Sequence, residues 1–263
     1  MLLRNSFSGV SSIEAGVGKS IVRGFAGFLI VGFFALVSAA SADAQAGSFA
    51  VSRLGRLVGT ASFDFVPTQG GFNSTSLVRV SMKGLEYSLS KTEELSADNE
   101  LRHVQLSALV NGSAVNVVAA PDSAQLLLNV SANGRSSTAR LAQHNAAIFL
   151  PDFDPGALET LLTLGVTRNG RDLWAILPKQ AGTEPGSVAA IELTTYADVA
   201  GTLDGAPIVV HHLVATIAGA RTDLFSGPAN QLLQAELPQT GFALVRKGFI
   251  LKPPDKPLVA PAS

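Results

Sequence analysis

The sequence predicts a mainly β protein, a curved or closed antiparallel sheet carrying one short helix, and three observations predict it. Apolar and polar residues alternate with a period of two from Phe49 onward, the spacing that sends successive side chains to opposite faces of a strand. Glycine and asparagine interrupt the alternation at short intervals. Helical spacing is convincing only behind Asp154 and Pro155.

Taken in order, Ser48–Leu54 and Leu57–Val66 form a first strand pair around Gly55-Arg56. In the second of these, Leu57, Gly59, Ala61, Phe63 and Phe65 share one face, so a buried face is set against a wet one. Thr75–Met82 and Leu85–Lys91 follow, with Gly84 at the turn. Leu101–Val110 and Ser113–Ala119 flank Asn111-Gly112, and Gln125–Ser131 and Ser136–Leu141 flank Asn133-Gly134. Asn-Gly takes the positive backbone angles of a tight hairpin turn, so an antiparallel meander is expected.

The middle of the chain changes period. Asp154 has the chemistry of a helix cap and Pro155 loses nothing at the first helical position. Leu158, Leu161, Leu162 and Val166 then follow at helical spacing, giving a helix near Pro155–Leu164. About three turns are too few for independent stability, so the helix must pack on the sheet. Strand patterns return at Leu173–Leu177, Ser187–Tyr196, Ala206–Thr216, Ala229–Glu236 and Phe242–Phe249, with turns at Asp204-Gly205 and Ala218-Gly219. Pro178–Gly186 reads as a polar loop.

The N-terminus is built like a secretion signal. Arg4, Lys19 and Arg23 precede the apolar run Gly24–Val37, and small residues then offer A-x-A patterns ending at Ala42, Ala44 and Ala46. Charged, apolar and cleavable regions in that order define a signal peptide, here residues 1–44, with cleavage after Ala44 or Ala46. The other reading is an uncleaved anchor, but the apolar run is shorter than the roughly 20 residues a bilayer core requires. Gly16-Val17-Gly18-Lys19-Ser20 imitates part of a phosphate loop, yet Ile13 stands where that loop needs glycine.

Behind the leader a mainly β exported domain spans residues 45–251. Residues 252–263 form a tail whose prolines, Pro253, Pro254, Pro257 and Pro261, make it extended and flexible. After signal cleavage no stable transmembrane span is left. One tryptophan and two tyrosines also make a thin girdle for a membrane barrel.

Composition narrows the function. The chain has 19 Lys and Arg against 20 Asp and Glu, a net charge of -1 that supplies no general attraction for nucleic acid. It has no cysteine, which excludes disulfides, thiolate metal sites, cysteine nucleophiles and a lipidated cysteine. No cofactor and no metal site is expected. His211 and His212 are neighbours in a strand and point to opposite faces, so they do not readily grip one ion. Asp152 and Asp154 suit a turn and a helix cap better than an acid-base pair. No serine lies in G-x-S-x-G, and Ser90-Lys91 lacks the S-x-x-K spacing. No catalytic residue is assigned.

The phenylalanines offer another possibility. A curved sheet with a helix laid across it can enclose a cavity lined by aromatic rings, and apolar ligands enter such cavities by leaving water. Phe63, Phe65, Phe153 and Phe242 are the candidate ligand-binding rings, with Arg246 at the rim to orient a polar head. The bland alternative is that the rings fill a compact core.

The phrases FAVSRLGRLVGTASFDF, Phe49–Phe65, and ANQLLQAELPQTGFALVRKGF, Ala229–Phe249, resemble a pattern of exported bacterial β-rich proteins of unknown function, distantly like the lipoprotein-carrier superfamily. The resemblance maps an opening hairpin onto Phe49–Phe65 and a closing one onto Leu232–Lys247, with Arg246 as its basic member. What the chain leads one to expect is a non-catalytic periplasmic or secreted binding protein for a hydrophobic or lipid-like small molecule. The alternatives are a cell-envelope structural module whose partner is an envelope protein, and an exported hydrolase without recognisable motifs.

Overall fold

The computed structural model describes residues 45–178 and 186–252. The predicted signal peptide, the interior of the predicted Pro178–Gly186 loop and the predicted tail beyond Lys252 lie outside the described residues. Eight strands come first: β1 (Gln45–Arg53), β2 (Arg56–Thr68), β3 (Gly71–Met82), β4 (Leu85–Ser96), β5 (Leu101–Val110), β6 (Ser113–Asp122), β7 (Gln125–Ala132) and β8 (Arg135–Ala142). Each pairs antiparallel with the next, as a meander requires. Asn111-Gly112 and Asn133-Gly134 both hold positive φ at the two turn positions, which is why those sequences sit there.

A short strand β9 (Ala147–Phe149) precedes helix α1 (Pro155–Thr167). Eight strands follow: β10 (Leu173–Pro178), β11 (Gly186–Thr195), β12 (Val199–Leu203), β13 (Ala206–Ile217), β14 (Ala220–Ser226), β15 (Leu232–Leu237), β16 (Phe242–Arg246) and β17 (Phe249–Leu251). Strand β1 joins the two halves, pairing with β2 on one side and β16 on the other. From β16 the ladder continues through β15, β14 and β13 to β11, β10 and β9. All seventeen strands belong to one sheet, which is open. Among the described strands the single parallel pair is β9 with β10.

The helix forms where the sequence predicts it and runs to Thr167, beyond Leu164. The Asp154 carboxylate accepts hydrogen bonds from the Gly156 and Ala157 amides at 2.9 and 3.3 Å. Pro155 through Leu162 are all buried, so α1 has no wet face over its first two turns. It packs on β2, β3, β9 and β15. Val166, expected on the apolar stripe, is exposed.

Two cores lie on opposite faces of β13–β15. The main one contains α1 and inward residues such as Val51, Val78, Leu106, Leu128 and Phe149. A smaller one gathers Val210, Phe225, Leu233 and Phe249. Neighbours in sequence divide between them: Leu224 faces the first and Phe225 the second. The smaller core exists because the first half of β13 pairs with β12, which in turn pairs with β17. The predicted Phe242–Phe249 run is therefore broken at Lys247-Gly248, where Gly248 takes φ +83°.

Candidate functional site

On the inner face, under the start of α1, the fold buries a charged cluster. Lys91 and Glu93 are two residues apart in β4 and share a face, and both are shut off from solvent. Lys91 Nζ lies 2.6 Å from Asp154 Oδ2 and 2.9 Å from Glu93 Oε2. Burial opposes the lysine's charge, but Asp154 and Glu93 outweigh it and raise its pKa. Burial raises the Glu93 pKa, with Lys91 opposing. Ser76 and Ser74 stand opposite Lys91 and Glu93 on β3, and their buried hydroxyls have no hydrogen-bond partner among the described residues. The arrangement fastens the helix N-terminus to the sheet, out of reach of any substrate.

A second buried carboxyl ties three parts of the chain together. Glu159 of α1 accepts hydrogen bonds from the Leu232 amide, at 2.7 Å, and from Gln45 Nε2. Burial pushes its pKa up to about 7 against the pull of that amide and of Arg246.

The predicted ligand-binding rings also lie on this inner face, in two groups. Phe63 is buried and contacts Phe49 and Phe65, with centroids 6.0 and 5.4 Å apart. Phe153 and Phe242 form the other group at 4.6 Å, with Tyr87 5.7 Å from Phe153. The Arg246 guanidinium sits over Phe49 and Phe63 and donates from both terminal nitrogens to the Ala46 carbonyl. Phe65 borders a hollow of about 120 Å³ with Phe72 and Glu159.

The histidines go to separate places, as adjacent strand residues do. His211 Nδ1 lies 3.0 Å from Asp198 Oδ1 on an exposed site. His212 is buried, stacked on Phe225 at 4.6 Å, with Nε2 2.9 Å from Asp223 Oδ1. Among the described residues no group of three or more His, Asp or Glu side chains is placed to hold a metal ion.

A large hollow lies on the opposite, outer face: a half-open trough of about 1080 Å³ across β16 and β1–β6. Its floor is two neighbouring cross-strand rows. One row runs Ser48, Ser62, Leu77, Ser90, Ser107 and Asn116, each opposite the next in register. The other runs Val245, Ala50, Thr60, Arg79, Ser88, Leu109 and Ala114. Strands are spaced about 4.8 Å apart, so the floor extends for about 24 Å from β1 to β6. Most of these side chains are small, which makes the surface a trough. Leu57, Leu77 and Leu109 border it and are exposed, and Lys247, Gly248 and Phe249 stand at its β16 end.

Of the five residues predicted to bind ligand, only Arg246 is among those bordering the trough, and its guanidinium points to the inner face. Periodicity does not reveal the trough, because its rows run across strands far apart in sequence. A signal was nevertheless present: wet positions of β1, β2, β4 and β5 carry serine, threonine and alanine where charged side chains are common. Comparison with known proteins finds no matching family model, no matching curated protein and no matching solved structure.

Proposed function

We propose that the chain is a non-catalytic exported binding protein that captures a hydrophobic or lipid-like molecule reversibly in the outer trough. The observation that carries this reading is the trough itself: a long, half-open hollow bordered by Leu57, Leu77, Leu109, Val245 and Phe249. Exposed leucines grouped in one concavity gain by leaving water when an apolar chain lies over them. The small hydroxyls between them admit close approach and can donate to a polar group on the ligand. The resemblance of both terminal hairpins to exported β-rich proteins distantly like lipoprotein carriers favours this reading, and a periplasmic or secreted location is proposed with it. No helix among the described residues is long and apolar enough to cross a membrane.

Ser90 lies mid-floor and is exposed, so Ser90→Trp fills the trough without entering the core. The expected result is loss of most binding of an apolar fluorescent dye or of a co-purifying lipid. Stability should change by about 0.5 kcal/mol or less, as for most surface substitutions. Undiminished binding with a folded variant would reject the trough as the site.

The proposed cleavage sites differ in what they would leave behind. Gln45 pairs with Phe65 and bonds buried Glu159, and the Ala46 carbonyl holds Arg246. Cleavage after Ala44 keeps all of these, whereas cleavage after Ala46 removes them. The mature protein is expected to begin at Gln45, and the intact mass of the exported chain distinguishes the two.

A further inference from the structure

We infer that the trough selects an acidic phospholipid, held one molecule per chain with its phosphate at the β16–β3 end; this rests on the reading of the trough as a lipid site. The argument is one of charge. The chain carries slightly more acidic than basic residues, yet the side chains bordering the trough include Arg79, Arg246 and Lys247 and no carboxylate. Arg246 is occupied on the inner face, stacked on two rings and bonded to Ala46. Arg79 and Lys247 are exposed on the outer face, and neither is in an ion pair among the described residues.

Their placement gives the trough a direction. Arg79 is on β3 and Lys247 follows β16, so both cations belong to one half. The other half, on β4–β6, is bordered by Ser88, Ser90, Ser107, Leu109, Ala114 and Asn116, with no charge. Two carboxylates stand at the margins of the trough: Asp204, which lies against Gly248 at the β16 end, and Glu86, which borders an adjoining hollow of about 310 Å³ together with Arg79 and accepts a hydrogen bond from Ser81. A phosphate offers a guanidinium two parallel acceptors and an ammonium a point charge, and such charge-assisted bonds strengthen in a partly dehydrated hollow. A zwitterionic phospholipid offers the same phosphate but brings a quaternary ammonium up to the two cations, so its net attraction to this end is weaker than that of an acidic headgroup. Thr60 and Ser88, the register neighbours of Arg79, supply further donors for phosphate oxygens.

The test uses the mature full chain incubated with vesicles of equal parts phosphatidylglycerol and phosphatidylcholine of identical acyl chains, then separated from them and weighed by native mass spectrometry. The expected result is one bound lipid per chain, phosphatidylglycerol over phosphatidylcholine by about tenfold or more. In the double variant Arg79→Gln, Lys247→Gln that preference should fall to about equality, while thermal unfolding stays as in the parent. Equal loading of both lipids by the parent overturns the acidic selection and leaves the lipid site standing. Failure to load either lipid, or a chain that stays with the vesicles, overturns both. A preference that survives the double variant overturns the role of the two cations. Competition by inorganic phosphate alone at similar concentration would show a free anion site and likewise overturn the proposal.

Discussion

Replacing Lys91 by methionine is expected to lower the free energy of unfolding by about 3–5 kcal/mol, the usual consequence of removing one member of a buried ionic set. Lys91 is fully enclosed, and its ammonium is the counter-charge for both Glu93 and Asp154. Methionine keeps much of the stem's volume, so the loss would report charge more than packing. Two carboxylates would then share a dry site, and at least one must take a proton at a cost. Because Asp154 also caps α1, its distortion would spread to the helix amides at Gly156 and Ala157.

Urea unfolding checks this: the midpoint should fall while the slope is retained. A combined Lys91→Met, Glu93→Met, Asp154→Asn variant should recover much of the loss, since removing a whole buried set costs less than breaking it, and asparagine still caps. A loss below about 1 kcal/mol in the single variant would mean that the cluster does not anchor the helix.

The second large effect is on pH. The Glu159 carboxyl titrates near 7 in the folded chain, above its ordinary value of 4.5, because burial disfavours its charge. Across that window the folded state holds a proton that the unfolded state has released. The resulting stability is fully present below the unfolded pKa, declines as pH rises, and is gone above the folded pKa. The difference amounts to about 3 kcal/mol between about pH 4.5 and about pH 7. Gln45 can accommodate either form, because its carboxamide offers both a donor and an acceptor.

Denaturation curves collected across the window should show unfolding becoming easier toward neutrality, and Glu159→Gln should flatten most of that slope. Glu93, raised in the same direction, leaves a residue of it. A profile unchanged by Glu159→Gln would remove Glu159 from the explanation.

Much of the fold was legible because its rules are local. Alternation in β2, the Asn-Gly turns and the Asp154-Pro155 start each depend on residues within a few positions of one another. Where reading failed, long-range contacts had overridden local pattern. The predicted strand Leu85–Lys91 stops short of Ser96 because Thr92-Glu93-Glu94 looks like solvent-exposed chain, whereas Glu93 faces the core and is neutralised from another element. Strand β14 has no clear sequence signal for the same reason: Arg221 and Asp223 look like solvent-exposed chain, whereas they pair with each other at 2.6 Å. Strand β9 is three residues long and acquires its identity only from parallel pairing with β10.

The candidate site was less legible than the fold. Phe63, Phe65, Phe153 and Phe242 were visible as a set of rings, but which face α1 covers depends on where the helix comes to lie. The Lys91 cluster and the trough occupy opposite sides of the same strands. Ser90 and Lys91 are neighbours in sequence and belong to different environments.

Strands β13, β14 and β15 each present one side to the main core and the other to the smaller one. Neither greasy interior therefore owns its wall, and melting either would strip the other of its backing. The two interiors are bound to come apart together, so a chain assembled from two cores behaves as a single cooperative body.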